Sequence, residues 1–195
     1  MFRAVIFDFG GVIVRERYNS EITTQLQWLG ENDAQRYQQI EAEAARGHVD
    51  RDILFKTYKE LFKLDFLVDL DVDTPRAYAD PNLRIIDLVK ILKSKYKVGI
   101  LSNNFAFWAK ILKEQDYFKL FDASVISCDV GMLKPESEIY HLIAGRLEVE
   151  PRDCVFIDDL AQNVEGARKT GMTAVLFKDY DSLVAELVNL KVVKW

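Results

Sequence analysis

A chain of 195 residues, 49% of them apolar, is long enough to bury one substantial core and slightly longer than the commonest single domain. Its 26 basic side chains are scattered among 31 acidic ones for a net charge of −5, which excludes the concentrated Lys and Arg stripe of a nucleic-acid binder. No run approaches the roughly 20 apolar residues of a membrane span. The first residues lack the basic and apolar segments of a secretion signal, so a cytoplasmic protein is expected. Cys128 and Cys154 have no metal-ligand spacing and are expected to be free, in strands or at strand ends, buried as small hydrophobes.

The first strand is predicted at residues 4–7, and it runs straight into Asp8 before the chain turns through Gly10 and Gly11. A buried strand that ends on a carboxylate needs a partner for it, although an aspartate can also cap a turn. Residues 17–80 then read as an insertion with three helices, at 18–28, 33–46 and 50–63. Gly47 suits the end of the second and Asp50 the start of the third. The rings of Trp28, Tyr37, Phe55, Tyr58 and Phe62 must find burial there, and most are expected to form that module's own core. An acidic stretch at 68–73, followed by Pro75 and Pro81, reads as the return path.

After residue 80, apolar runs at 98–101, 124–127, 155–157 and 173–177 alternate with helical periodicity at 85–92, 106–112, 139–147 and 164–169. Continuous apolar strands between amphipathic helices predict an α/β fold, a Rossmann-like parallel sheet with helices on both faces. The domain reading is therefore an α/β core over 1–16 and 81–195 carrying an all-helical insertion over 17–80. The tail, 181–195, reads as a helix with an apolar end that packs on the sheet.

In such a sheet chemistry gathers at the carboxyl ends of the strands, and three more strand ends are polar. Ser102-Asn103-Asn104 follows the second predicted strand, Lys134-Pro135 follows the third with Pro135 and Glu136 opening a helix, and Asp158-Asp159 follows the fourth. Each has an ordinary explanation by itself, as a strand-to-helix turn or a surface lysine. Adjacent carboxylates such as Asp158-Asp159 repel unless a cation lies between them.

Taken in order, Asp8, Ser102, Lys134 and Asp158-Asp159 resemble the four motifs of the haloacid dehalogenase-like hydrolase superfamily, a likeness that extends over about residues 3 to 180. The resemblance implies a Mg²⁺-dependent phosphatase that works through an aspartyl-phosphate. Asp8 would be the nucleophile, Ser102 and Asn103 would bind the phosphoryl group, and Lys134 would neutralise charge on both. The metal would be held by Asp8, the Gly10 carbonyl and, by alignment with the motif, Asp159. Asp158 would sit beside it, with which acid touches the metal left open, and Asn163 would orient the pair. The resemblance further implies a turn over 9–15 leading into a small helical cap, and a small phosphorylated metabolite as substrate of a monomer or homodimer.

Gly10 departs from the pattern, because phosphatases of this superfamily usually carry there a second aspartate that protonates the leaving group. General acid–base help is worth about 10² to 10⁴ in rate. Three accounts follow: a substrate with a good leaving group, such as a sugar 1-phosphate; a proton from Glu16, Glu41 or His48; or a site that binds phosphate without turning it over. Bacterial glucose-1-phosphate phosphatases resemble this chain in lacking the second aspartate, which favours the first. A 2-haloacid dehalogenase is the alternative enzyme, disfavoured by the Asp158-Asp159 pair.

Overall fold

The protein is described by a computed structural model covering residues 1–14, 26–62 and 81–194. Five strands, β1 (Ala4–Phe7), β2 (Lys97–Ser102), β3 (Ala123–Ile126), β4 (Cys154–Asp158) and β5 (Thr173–Leu176), form one sheet in the order β3-β2-β1-β4-β5. Every pairing is parallel, as the unbroken apolar strands predict. β1 is central because it is hydrophobic on both faces, with all four residues buried.

Alternate residues divide the core in two. Val5, Phe7, Val98, Ile100, Val155 and Ile157 face one side, where α3 (Leu83–Lys93), α4 (Ala106–Glu114) and α8 (Tyr180–Asn189) supply apolar side chains. Ala4, Ile6, Leu101, Val125 and Phe156 face the other, against α6 (Ser137–Arg146) and α7 (Ala161–Lys169). The two-residue period of a strand thus explains how consecutive apolar residues serve two layers of helices. The tail does pack on this core: Val192 and Val193 are buried, and the Tyr96 hydroxyl donates to the Val192 carbonyl at 3.0 Å.

Strand ends differ from expectation where side chains compete for the backbone. Ser127, predicted as strand, instead opens α5 (Ser127–Val130), because its hydroxyl accepts from the Asn104 N–H at 2.9 Å and donates to the Asn104 carbonyl. Cys128 therefore lies in a helical turn and is part-exposed, whereas Cys154 opens β4 and is buried; both thiols are free. Likewise α6 begins at Ser137 rather than at Pro135, with Glu136 in extended conformation just before it.

Within the inserted segment the structure describes α1 (Glu31–Ala45) and α2 (Arg51–Phe62). Asp50 accepts from the Ile53 N–H at 2.9 Å and starts α2; Gly47, at φ +80°, ends the turn after α1. Tyr37, Phe55, Tyr58 and Phe62 cluster with Ala44, Leu54 and Leu61 as a small core. Trp28 does not join them, being 81% exposed. Phe105 and Phe107, from the loop after β2 and from α4, do join them, and Phe55 meets Phe107 edge to face at 5.6 Å. Most of the predicted helix at 18–28, the return path at 68–80 and Glu16 lie outside the described residues.

Candidate active site

Parallel pairing brings the carboxyl ends of β2, β1 and β4 side by side, with Phe7 in register between Ile100 and Ile157. Asp8 therefore emerges between Ser102, the last residue of β2, and Asp158, the last of β4. The Asp8 N–H still bonds the Ile157 carbonyl at 2.8 Å, so the nucleophile candidate is held by the sheet itself. All three are buried, at 7%, 2% and 0% exposure.

Lys134 joins them from the loop after α5. Its Nζ lies 2.7 Å from Asp8 Oδ1 and 2.6 Å from Asp158 Oδ2, with 4% of the residue exposed. This is no surface lysine. Burial alone would push the ammonium's pKa down, but the carboxylates of Asp8 and Asp158 outweigh it and hold the group above its usual range. Burial raises the Asp8 carboxyl well above its ordinary value, and Asp158 adds to that against the opposing pull of Lys134. Asp8 Oδ1 also accepts from the Phe9 N–H at 2.6 Å, so both bonds fall on one oxygen and Oδ2 takes neither.

The backbone of Lys134 is fixed by Asn103, whose amide oxygen accepts from the Lys134 N–H at 2.9 Å and whose amide nitrogen donates to the Lys134 carbonyl at 3.0 Å. The Asn103 side chain thus clamps the lysine loop, which leaves its own backbone N–H as the group able to meet a phosphoryl oxygen. The peptide between Lys134 and Pro135 is cis. Gly166 admits this loop, since a Cβ there would stand 2.7 Å from Pro135 Cβ and 2.9 Å from the Tyr140 hydroxyl.

The two adjacent acids have different surroundings. Asp158 Oδ1 accepts from the Leu160 N–H at 2.8 Å, its Oδ2 accepts from Lys134, and the Asn163 amide donates to both oxygens at 3.0 and 3.1 Å. Asn163 is in turn positioned by Tyr140, whose hydroxyl donates to the Asn163 carbonyl at 2.8 Å. Asp159 is only part-buried and turns toward Gly11, and burial followed by the Asp158 charge raises its pKa. Gly11 has φ +70°, where a side chain is strained, and a Cβ there would collide with the Asp159 carboxylate. Local sequence marks Gly11 only as a turn; its second task, making room for Asp159, is not legible there because the two are distant in the chain.

Carboxylate oxygens of Asp8, Asp158 and Asp159 lie within 4.8 Å of one another. An all-oxygen, anionic set suits a hard divalent cation such as Mg²⁺. Since Asp158 is already bonded to Lys134, Asn163 and Leu160, the donors best able to face a metal are Asp8 and Asp159. Of the expected proton donors in the insertion, His48 is exposed and its Nδ1 lies 2.9 Å from Glu43, and Glu41 lies on α1.

Residues 2–171 match the family model "haloacid dehalogenase-like hydrolase", and the chain belongs to that family of hydrolases. It is 36% identical to the Arabidopsis thaliana flavin mononucleotide hydrolase 1 over 45% of this chain and 36% of that one. It is 28% identical to sesquiterpene phosphatase astK of Aspergillus oryzae over 97% and 96% of the two chains. The chain spans only 37%, 12% and 36% of the length of the first curated relatives it matches. Its fold is that of a haloacid dehalogenase family enzyme from Bacteroides thetaiotaomicron, solved with magnesium and inorganic phosphate, at TM-score 0.71, 22% identity and 94% and 99% coverage. Among the described residues no helix is long and apolar enough to cross a membrane.

Proposed function

We propose that this hydrolase is a Mg²⁺-dependent phosphomonoesterase acting on a small phosphorylated metabolite through an aspartyl-phosphate. The observation that carries the proposal is the buried Lys134 ammonium bridging Asp8 and Asp158 with Asp159 alongside. A buried carboxylate pair held by one cation and backed by an open acid is built to receive a dianion and a metal. Asp8 and Asp159, with the Gly10 carbonyl, would hold Mg²⁺, which neutralises phosphoryl charge when bound.

The chain's own groups do the rest. Asp8 Oδ2 attacks phosphorus in line and forms the P–O bond of an acyl phosphate, while the ester oxygen leaves with the electron pair of the broken bond. Lys134 favours the ionised form of Asp8 against the effect of burial and stabilises the equatorial oxygens, and the Ser102 hydroxyl and Asn103 N–H donate to them. Positioning and electrostatic stabilisation of this sort supply most of the barrier reduction in phosphoryl transfer. Water then cleaves the acyl phosphate and returns Asp8. The insertion over 17–80 would act as a cap on the core of 1–16 and 81–195, excluding bulk water. Monomer and homodimer both accommodate this reading, and neither nucleic acid nor membrane enters it.

The test is release of p-nitrophenol from p-nitrophenyl phosphate with Mg²⁺ and with chelator. Turnover is expected with the metal and is expected to vanish without it. Metal-independent hydrolysis of a 2-haloacid would sink the phosphatase reading in favour of the dehalogenase, and Mg²⁺-dependent binding of phosphate without turnover would replace it with a silent binding protein.

Gly10 carries a second expectation. p-Nitrophenolate leaves without a proton, whereas an alkoxide needs one. Gly10→Asp is therefore expected to raise kcat for an alkyl phosphate by roughly tenfold or more, within the range of general acid catalysis, with little change for p-nitrophenyl phosphate. The ratio of the two rates in variant and parent is the measurement; an unchanged ratio in a variant that binds Mg²⁺ normally overturns this account of Gly10.

A further inference from the structure

The lysine loop is tied down on a second side, from the inserted helices. Arg46, the residue that follows α1, donates from Nη1 to the Gly131 carbonyl at 2.8 Å and from both terminal nitrogens to the Glu136 carboxylate. Glu136 Oε2 also accepts from the Leu133 N–H at 3.1 Å, and the Glu136 N–H bonds the Leu133 carbonyl at 2.8 Å. Lys134 and Pro135 are the two residues enclosed by that turn. Directly after Arg46, Gly47 presses against α5: a Cβ there would stand 2.5 Å from the Cys128 carbonyl. The end of α1 is thus seated on the segment 128–136 that delivers Lys134 to Asp8.

An Arg–carboxylate pair of this kind matches two donors to two acceptors and fixes direction as well as distance. It is part-exposed, with side chains 25% and 37% accessible, so it adds little to global stability. Its effect is local. Asn103 holds the Lys134 peptide from the core side, and Arg46 with Glu136 holds the same turn from the side of the insertion.

We propose that Arg46 is a positioning residue, coupling the seating of the inserted helices to the placement of Lys134 against Asp8 through Glu136. The catalytic consequence rests on the phosphatase reading above; the mechanical link does not. When the end of α1 lifts from 128–136, the turn around Lys134 loses one of its two restraints, and the ammonium loses its register with the nucleophile.

The experiment uses the full chain and has two arms. In hydrogen exchange, Arg46→Ala and Arg46→Lys are both expected to speed exchange of the amides at 131–136 while strands β1 and β4 keep wild-type protection. In kinetics with p-nitrophenyl phosphate, both variants are expected to lose about tenfold in kcat with KM nearly unmoved, as misplacement of a reacting group by a fraction of an ångström does. Lysine fails to rescue because its single nitrogen does not reproduce the planar two-nitrogen fork that meets both Glu136 oxygens and the Gly131 carbonyl. Glu136→Gln, which keeps an acceptor for Leu133, is expected to lower kcat similarly, and the double variant to be no worse than the poorer single one.

Unchanged exchange at 131–136 overturns the link whatever the activity. Faster exchange with wild-type kcat, additive losses, or full rescue by Arg46→Lys overturns the positioning role. A wild type that exchanges as expected but turns nothing over refutes the phosphatase reading alone, and the exchange arm still decides the link.

Discussion

Asp8→Asn is expected to lower p-nitrophenyl phosphate turnover by at least roughly 10³-fold, the scale on which loss of a covalent nucleophile acts, while the protein stays folded. The substitution is nearly isosteric, and an amide oxygen can still accept from the Phe9 N–H that now bonds Oδ1 at 2.6 Å. What disappears is the carboxylate charge, which makes Oδ2 the attacking oxygen and which Lys134 faces through Oδ1 at 2.7 Å. Acid-quenched wild-type enzyme should carry a phosphoryl group on Asp8 by peptide mass spectrometry, and the variant should carry none. Near wild-type turnover by the variant, or a phosphoryl group found elsewhere, refutes the assignment of the nucleophile.

Lys134→Met is expected to have the largest effect on stability. The side chain is 4% exposed and bonds two buried carboxylates at 2.7 and 2.6 Å, so its removal leaves Asp8 and Asp158 facing one another without a cation. Breaking a buried pair from one side costs about 3–5 kcal/mol. Methionine preserves most of the volume over Phe156, so the loss reports charge rather than a cavity. The sign of the pH dependence follows from Asp8. Its folded pKa already lies above the ordinary 3.8 through burial, and removing Lys134 deletes the main opposing influence. A carboxyl raised in the folded state is favourable below its unfolded pKa, and that contribution is lost as pH rises through the folded value. The deficit relative to wild type should therefore be smallest in acid and grow toward neutral pH. Chemical denaturation of metal-free wild type and variant across that span measures it; a deficit that shrinks toward neutral pH contradicts the electrostatic origin.

Together these two variants separate what Asp8 does from what keeps it in place. The contrast with Arg46 is informative, since its pair with Glu136 is part-exposed and its expected effect is on kcat rather than on global stability. Buried and peripheral charges thus serve one loop by different physical means.

Much of the protein was determined by the sequence alone, and for a simple reason: strand and helix follow from local periodicity, and the parallel sheet follows from strands apolar on both sides. The five runs, the order of the four polar strand ends and the family likeness all rest on residues close together in the chain. Asp8, Ser102, Lys134 and the acid pair were each visible because a polar group directly after an apolar strand is locally anomalous. What the sequence could not determine was which groups touch. Local pattern does not distinguish Asp158 from its neighbour, yet the structure bonds Asp158 to Lys134 and Asn163 and turns Asp159 toward Gly11. Ser127 read as strand because its apolar neighbours outvoted it, until the loop of Asn104 arrived from β2 to bond its hydroxyl. Gly166, Tyr140 and Arg46 showed no anomaly, because their work is done against Pro135, Asn163 and Glu136, which only the crossing of separate elements brings within reach. Periodicity is a property of neighbours along the chain, whereas clamping a lysine between two carboxylates is a property of neighbours in space, and tertiary packing alone decides those.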